Sequence, residues 1–339
     1  MQVITSRDVA AAAGVSQATV SRALSGAARV SPVVRTKVLE AAERLGYQPN
    51  VAARAMRTQR SGSIGVVVES VTNPFYPEMI GALSRYLAAN DLRMLLWDAE
   101  GAGEQAAVQA ISQRLVDGLV FTTAVETSAT LRTALEAGAP LVLVNRTVES
   151  APCDQVDTDN QSMAHRIAQY VGSAGRTTAG FISGPDEAST ARARREGFLA
   201  GARAYGVKVP RSRVVDGGLT HRGGYDALHQ LFRGRVAPTA VFCANDISAF
   251  GAIDAARALG VRVPDDLWVV GYDDTDMASW EAFDLTTARQ PVEQMVKAAI
   301  DLLLQRIDSP GKPGAHERFE STLVLRGSTG RHPLPDADY

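Results

Sequence analysis

The sequence predicts an N-terminal all-α head carrying a helix-turn-helix and a hinge helix, followed by an α/β body of two doubly wound parallel-sheet subdomains. Three observations predict it. Three short, well-capped helical segments fill the first 47 residues, and strands alternate with helices from Ile64 onward, the alternation starting again near Ala179. Charge divides the same way. Residues 1–60 hold nine Lys/Arg against three acids, and the remainder holds 26 against 34, so a basic head of net +6 precedes an acidic body of net −8. That asymmetry directs a polyanion to the head alone.

Thr5 and Asp8 in T-S-R-D open the first helix as a capping box, and Gly14 ends it. Ser16 caps the second helix, Gln17–Leu24. Ser31 and Pro32 pair a cap with proline at the first helical position, and the third helix runs to Leu45 with Gly46 as its stop. The short turn Gly14-Val15-Ser16 sets the first two helices at a steep angle, so Val9, Ala10, Val15, Val20 and Leu24 can form one small core. Gln17, Ala18, Ser21 and Arg22 lie on the outer face of the second helix, where a buried helix would be apolar. Next comes a linker in which Asn50 can cap the short segment VAARAMR. Alone it is below the ~12–15 residues an isolated helix needs in water, so it requires a partner.

In the body, strands are expected at Ile64–Glu69, Arg93–Trp97, Leu119–Thr122 and Leu141–Val144, with helices near Pro77–Asn90, Glu104–Gln113 and Ser128–Ala137. The second round has strands near Ala179–Ile182, Val214–Asp216, Ala240–Cys243 and Trp268–Gly271, with helices near Met163–Ser173, Ala193–Tyr205, Arg222–Arg233 and Ile247–Leu259. Apolar strands alternating with helices build parallel sheets covered on both faces. Ligand clefts in such sheets lie beyond the carboxyl ends of the strands. The expected division is a head at 1–47, a hinge at 48–61, a body at 62–330 and a loose polar tail at 331–339. Within the body, one subdomain takes about 62–160 and 292–320, the other about 161–291 and 321–330.

Composition narrows the function classes. The chain has 339 residues, 45% hydrophobic and 21% charged, which suits two or three soluble domains. Its two cysteines, Cys153 and Cys243, exclude a disulfide framework and a four-cysteine zinc module. The N-terminus shows no signal-peptide pattern, and no apolar run approaches the ~20 residues of a membrane helix, so a cytoplasmic protein without a membrane partner is expected. There is no GxxxxGK[ST] or GxGxxG loop, Ser183-Gly184-Pro185 is not a G-x-S-x-G elbow, and the five histidines lack metal spacing. No catalysis, cofactor or metal is expected.

The stretches DVAAAAGVSQATVSRALSG, LGYQPNVAARAM, NPFY, GPDEASTARARREGF, CANDISAFGAIDAARALGVRVPDDLWVVGYDD and LTTARQP resemble the lactose/galactose-repressor (LacI/GalR) family over nearly the whole chain. The resemblance implies a homodimeric, ligand-responsive repressor on pseudo-palindromic double-stranded operator DNA, with a periplasmic-binding-protein-like body. In the head it implies that Gln17, Ala18 and Arg22 meet base edges in the major groove. Thr5, Ser16, Thr19, Ser21, Ser31 and Arg35 suit phosphates, which set register. In the hinge, Asn50 caps a minor-groove helix, Ala53 packs near the groove wall, and Met56 stands where relatives place a leucine wedge. The body then holds a small-molecule effector, a sugar or sugar derivative, between Phe75, Tyr76, Thr122, Asn145, Arg146, Arg194, Asn245, Asp273 and Gln290. Asp274 reads as structural, and Arg192 and Arg195 as surface charges. Leu219 departs from the bulky aromatic that relatives often carry there. The tail after Arg326 has one leucine and no heptad, so it cannot build a tetramerising helix bundle.

Overall fold

A computed structural model describes residues 4–24, 30–47, 60–69, 71–99, 101–234 and 236–333. The chain divides into two compact units, Met1–Ser61 and Gly62–Tyr339.

The head has three helices: α1 (Ser6–Ala13), α2 (Gln17–Leu24) and α3 (Pro32–Leu45). Each begins where its capping residue predicts. The Asp8 carboxylate accepts from the backbone N–H (2.8 Å) and hydroxyl (2.7 Å) of Thr5, and both bonds hold its pKa below the usual carboxylate value. Ser16 Oγ accepts from Thr19 N at 3.1 Å, and Ser31 Oγ from Val34 N at 3.4 Å. Gly14 and Gly46 take left-handed φ values of 65° and 64° to stop α1 and α3, a conformation that favours glycine. Val9, Ala10, Val20, Ala23, Val38, Ala41 and Ala42 make the core, with Val15 and Leu24 packed against it. The hinge at 48–59, with Asn50, Ala53 and Met56, lies outside the described residues.

The body holds two six-stranded sheets. Its first half contains β1 (Ser63–Val68), α4 (Phe75–Ala89), β2 (Arg93–Asp98), α5 (Gly103–Ser112), β3 (Gly118–Phe121), α6 (Ala129–Glu136), β4 (Leu141–Val144) and β5 (Asp154–Thr158). The second contains α7 (Asn160–Ser173), β6 (Ala179–Ser183), α8 (Ser189–Ala204), β7 (Val214–Asp216), α9 (His221–Phe232), β8 (Ala240–Cys243), α10 (Asp246–Ala258), β9 (Trp268–Asp273) and β10 (Thr286–Arg289). The chain then returns through α11 (Val292–Asp308) to β11 (His316–Phe319) in the first sheet and ends its strands with β12 (Thr322–Val324) in the second. The orders are β11-β5-β4-β3-β1-β2 and β12-β10-β9-β8-β6-β7.

The first sheet is parallel throughout. The second departs from the expected all-parallel pattern at one edge: β12 runs antiparallel to β10. Two residues separate β11 from β12, so the chain passes directly from the first sheet to the edge of the second. Strand alternation divides the core. Ile64, Val66 and Val68 pack under α4 and α11, while Val67 joins Leu119 and Phe121 on the other face. Strands β5, β10, β11 and β12 and helix α11 extend the expected element set. Of the expected loose tail, His332 packs edge-on against Tyr170 at 6.3 Å and the remainder from 334 lies outside the described residues.

Candidate functional site

In the head, the expected reading face is on α2. Gln17, Ala18 and Arg22 are exposed, as are Thr5, Ser16 and Ser31, while Thr19, Ser21 and Arg35 are half-buried. Gln17 Nε2 donates to Ser6 Oγ at 2.8 Å, which ties the start of α2 to α1. Arg22 Nε donates to the Ala18 carbonyl at 3.2 Å and so lies back along its own helix.

In the body, residues at strand ends of the two halves meet: Thr158, which ends β5, donates from Oγ1 to Oε1 of Gln290, which follows β10, at 3.2 Å. Arg194 on α8, Asp273 at the end of β9 and Gln290 after β10 are brought together and buried. Gln290 Nε2 donates to Asp273 Oδ1 at 2.8 Å, and Arg194 Nη1 lies 3.6 Å from the same oxygen. Arg194 also donates from Nη1 to the Ala244 carbonyl at 2.6 Å. Burial pushes the Asp273 carboxyl up to about 8, against the pull of Arg194. Asp273 and Asp274 have φ values of 130° and 59°, and this reversal sends adjacent carboxylates to different partners. Asp274 pairs with Arg289 at 2.5 Å and Arg326 at 2.6 Å, a structural role.

A second cluster sits on the first half. Glu69 accepts from Arg146 Nη2 and, at 3.1 Å, from the Tyr76 hydroxyl. Burial raises the Tyr76 pKa, with Arg146 opposing the shift and Glu69 adding to it. Phe75 and Tyr76 meet edge-to-face at 5.8 Å, and each is only 3% exposed, so their rings belong to the core of the first half rather than to an open platform. Thr122 Oγ1 donates to the Val67 carbonyl at 3.0 Å, and Asn145 takes a left-handed φ of 72°. Asn245 caps α10, accepting from Ser248 N at 3.2 Å and donating to the Leu219 carbonyl at 3.2 Å. Leu219 lies on Gly184, where an added Cβ would stand 2.5 Å from its Cγ, so an aliphatic wall replaces the aromatic one.

The halves touch directly. Asp276 N donates to Glu78 Oε1 at 2.8 Å, and Thr147 N to Ser189 Oγ at 2.9 Å. A polar cavity of about 540 Å³ opens beside this contact, lined among others by Thr147, Thr158, Asn160, Ser189, Arg192 and Arg318. None of the expected effector residues lines it, but Thr158 and Asn160 bond to Gln290 and Arg194 from its wall.

Residues 5–50 match the model described as bacterial regulatory proteins, lacI family, and residues 168–329 match a periplasmic binding protein-like domain. The ribose operon repressor of Escherichia coli K12 is 32% identical over 329 residues, 96% of this chain and 99% of that protein. The chain belongs to the lacI family of bacterial regulatory proteins.

This lacI-family chain is thus a DNA-binding transcriptional regulator. Solved relatives share the fold. The lac repressor dimer bound to operator and the anti-inducer ONPF aligns at TM-score 0.83, with 26% identity over 97% of this chain and 99% of that one. The regulator CelR in complex with cellobiose aligns at 0.73, with 28% identity over 96% and 99%. Several residues around the lacI-family cleft were not singled out by sequence: Glu69, Glu78, Thr123, Thr158, Asn160 and Tyr272. Thr158 and Asn160 did carry a signal, because the end of a strand followed by a helix start is where cleft residues gather. Glu69 and Glu78 did not, since a lone glutamate there reads as solvated.

Proposed function

We propose that the protein is a homodimeric cytoplasmic repressor, without catalytic activity, whose effector is a neutral polyhydroxylated molecule of the sugar class. Two heads grip a pseudo-palindromic operator, with Gln17, Ala18 and Arg22 reading bases and Thr5, Ser16, Thr19, Ser21, Ser31 and Arg35 holding phosphates. The effector lies between Arg146, Thr122 and Asn145 on one side, with Phe75 and Tyr76 packed in the core behind them, and Arg194, Asn245, Asp273 and Gln290 on the other. One observation carries the effector reading: Arg146 Nε and Thr123 Oγ1 are buried polar atoms without a hydrogen-bond partner, each two residues beyond its strand. A buried unmatched donor costs about 1–3 kcal/mol, which a ligand hydroxyl or ring oxygen removes. The Arg146 charge on the first half is matched by Glu69, which leaves no surplus cation there for an anionic ligand. The names of relatives, a ribose operon repressor and a cellobiose complex, agree with this class.

The experiment is a thermal-shift panel of neutral sugars, sugar phosphates and nucleosides on the full chain, since a binder stabilises by RT ln(1 + [L]/Kd). A neutral sugar as the strongest stabiliser supports the reading, and a response to phosphates or nucleosides alone overturns it.

A further inference from the structure

The three places where the body's chain passes between its sheets converge on one buried cluster. The passages run from β5 to α7, from β10 to α11 and from β11 to β12. In the first, Asn160 Oδ1 accepts from Arg194 Nε at 2.7 Å and Asn160 Nδ2 donates to the Thr158 carbonyl at 2.9 Å. Thr158 Oγ1 donates at 3.2 Å to Oε1 of Gln290, in the second passage. Gln290 donates to Asp273 at 2.8 Å, and Asp273 stands 3.6 Å from Arg194, which closes the ring. Beneath it, the Arg194 guanidinium lies 3.6 Å from the centroid of Tyr272, whose hydroxyl shares a hydrogen bond of 3.0 Å with Ser321, in the third passage.

Resting on the effector reading above, we infer that Asn160 is a positioning residue that aims Arg194 at the effector and ties it, through Thr158 and Gln290, to the strands on which the two halves turn. The amide suits this because it accepts from Arg194 on one side and donates to the backbone of Thr158 on the other. Asn160 is buried, so its loss strands both partners away from water. An effector that draws Arg194 toward itself must also alter bonds made by the connecting strands. The ring is therefore a physical connection whose arrangement both the cleft and the hinge angle bias.

The experiment places spin labels on exposed positions of the two halves, Glu136→Cys on α6 and Arg203→Cys on α8, in the full chain. The native Cys153 and Cys243 are buried and have raised thiol pKa values, so they resist labelling. Distance distributions are measured with and without D-ribose and cellobiose for wild type, Asn160→Ala, Thr158→Val and the core control Ile167→Val. Asn160→Ala and Thr158→Val should each broaden or shift the sugar-free distribution and abolish any sugar-induced change, while the control leaves both intact. Asn160→Ala should also weaken sugar binding about tenfold, the scale of a lost hydrogen bond to a charged group. If Asn160→Ala does not fold, Asn160→Asp, which keeps the acceptor and loses the donor, should behave as Thr158→Val. Superimposable sugar-free distributions for wild type and the ring variants would overturn the inference, and so would a control that shifts equally. A wild type that responds to neither sugar counts against the effector reading, while the sugar-free comparison still decides the role of Asn160.

Discussion

Arg194 lies over the ring of Tyr272, its guanidinium carbon 3.6 Å from the ring centroid, with both side chains buried. A desolvated cation–π contact of this kind is worth about 2 kcal/mol. The stack, with Asn160, Ala244 and Asp273, satisfies the guanidinium before any ligand arrives. Arg194 is thus preorganised.

Replacing Arg194 with alanine should abolish the effector response and destabilise the body. Its loss leaves Asn160 Oδ1 and the Ala244 carbonyl buried without their donor, at about 1–3 kcal/mol each. Chemical denaturation and an effector titration check both halves of the expectation. A variant that titrates like wild type contradicts the role given to Arg194.

Arg22→Ala should behave oppositely. Arg22 is exposed on α2, so stability should move by no more than about 0.5 kcal/mol. Discrimination between operator and mismatched DNA should fall by about 1–3 kcal/mol, the value of a bidentate arginine–guanine contact. Footprinting at fixed salt measures it, because phosphate contacts make affinity salt-dependent. An unchanged footprint would remove Arg22 from the reading set.

Stability should fall as pH rises from about 6 to 8, and Asp273→Asn should remove that fall. Burial raises the folded pKa of Asp273 to about 8, above its unfolded value of about 3.9. A raised folded value stabilises fully below the unfolded pKa and is lost as pH rises through the folded one. Asp246, raised by burial to about 6, loses its share at lower pH, so the decline below pH 6 should persist in the variant. Denaturant midpoints at pH 5, 6 and 8 test this, and parallel profiles for the two proteins would contradict it.

Gly184→Ala should cost about 1–3 kcal/mol, the range for overpacking a filled site. Its Cβ would stand 2.5 Å from Leu219 Cγ. Adding Leu219→Ala should recover part of that loss, so the pair should be non-additive. Additive denaturation energies would show that the two residues do not compete for the same space.

Much of this architecture was legible in local sequence. Strands β4, β7 and β8 and helix α2 begin and end where apolar runs, caps and turns predict. β5 was not legible, because D-Q-V-D-T has no apolar run. It is nevertheless buried, because its polar side chains find distant partners. Asp154 accepts from Arg306 at 2.5 and 2.9 Å, and Gln155 bonds the backbone of Val148 at 2.9 and 3.0 Å. Asp157 accepts from Arg318 at 3.0 and 3.1 Å. At the cleft, Asp273 and Gln290 end or follow strands and could be placed by topology, whereas Arg194, expected at a helix start near Ala193, lies inside α8, which begins four residues earlier at Ser189. Glu69 could not, because its role depends on Arg146, 77 positions away.

The central claim is that occupancy of the cleft controls DNA binding by the head. The direct measurement is the affinity of the full chain for an operator recovered by selection from a random duplex pool, with and without the sugar that most raises its melting temperature. Salt is held constant throughout. The account predicts that the sugar changes operator affinity for wild type, and that Asp273→Ala retains wild-type affinity without sugar but no longer responds to it. Operator affinity that ignores the sugar in wild type, or follows it equally in Asp273→Ala, would contradict the account.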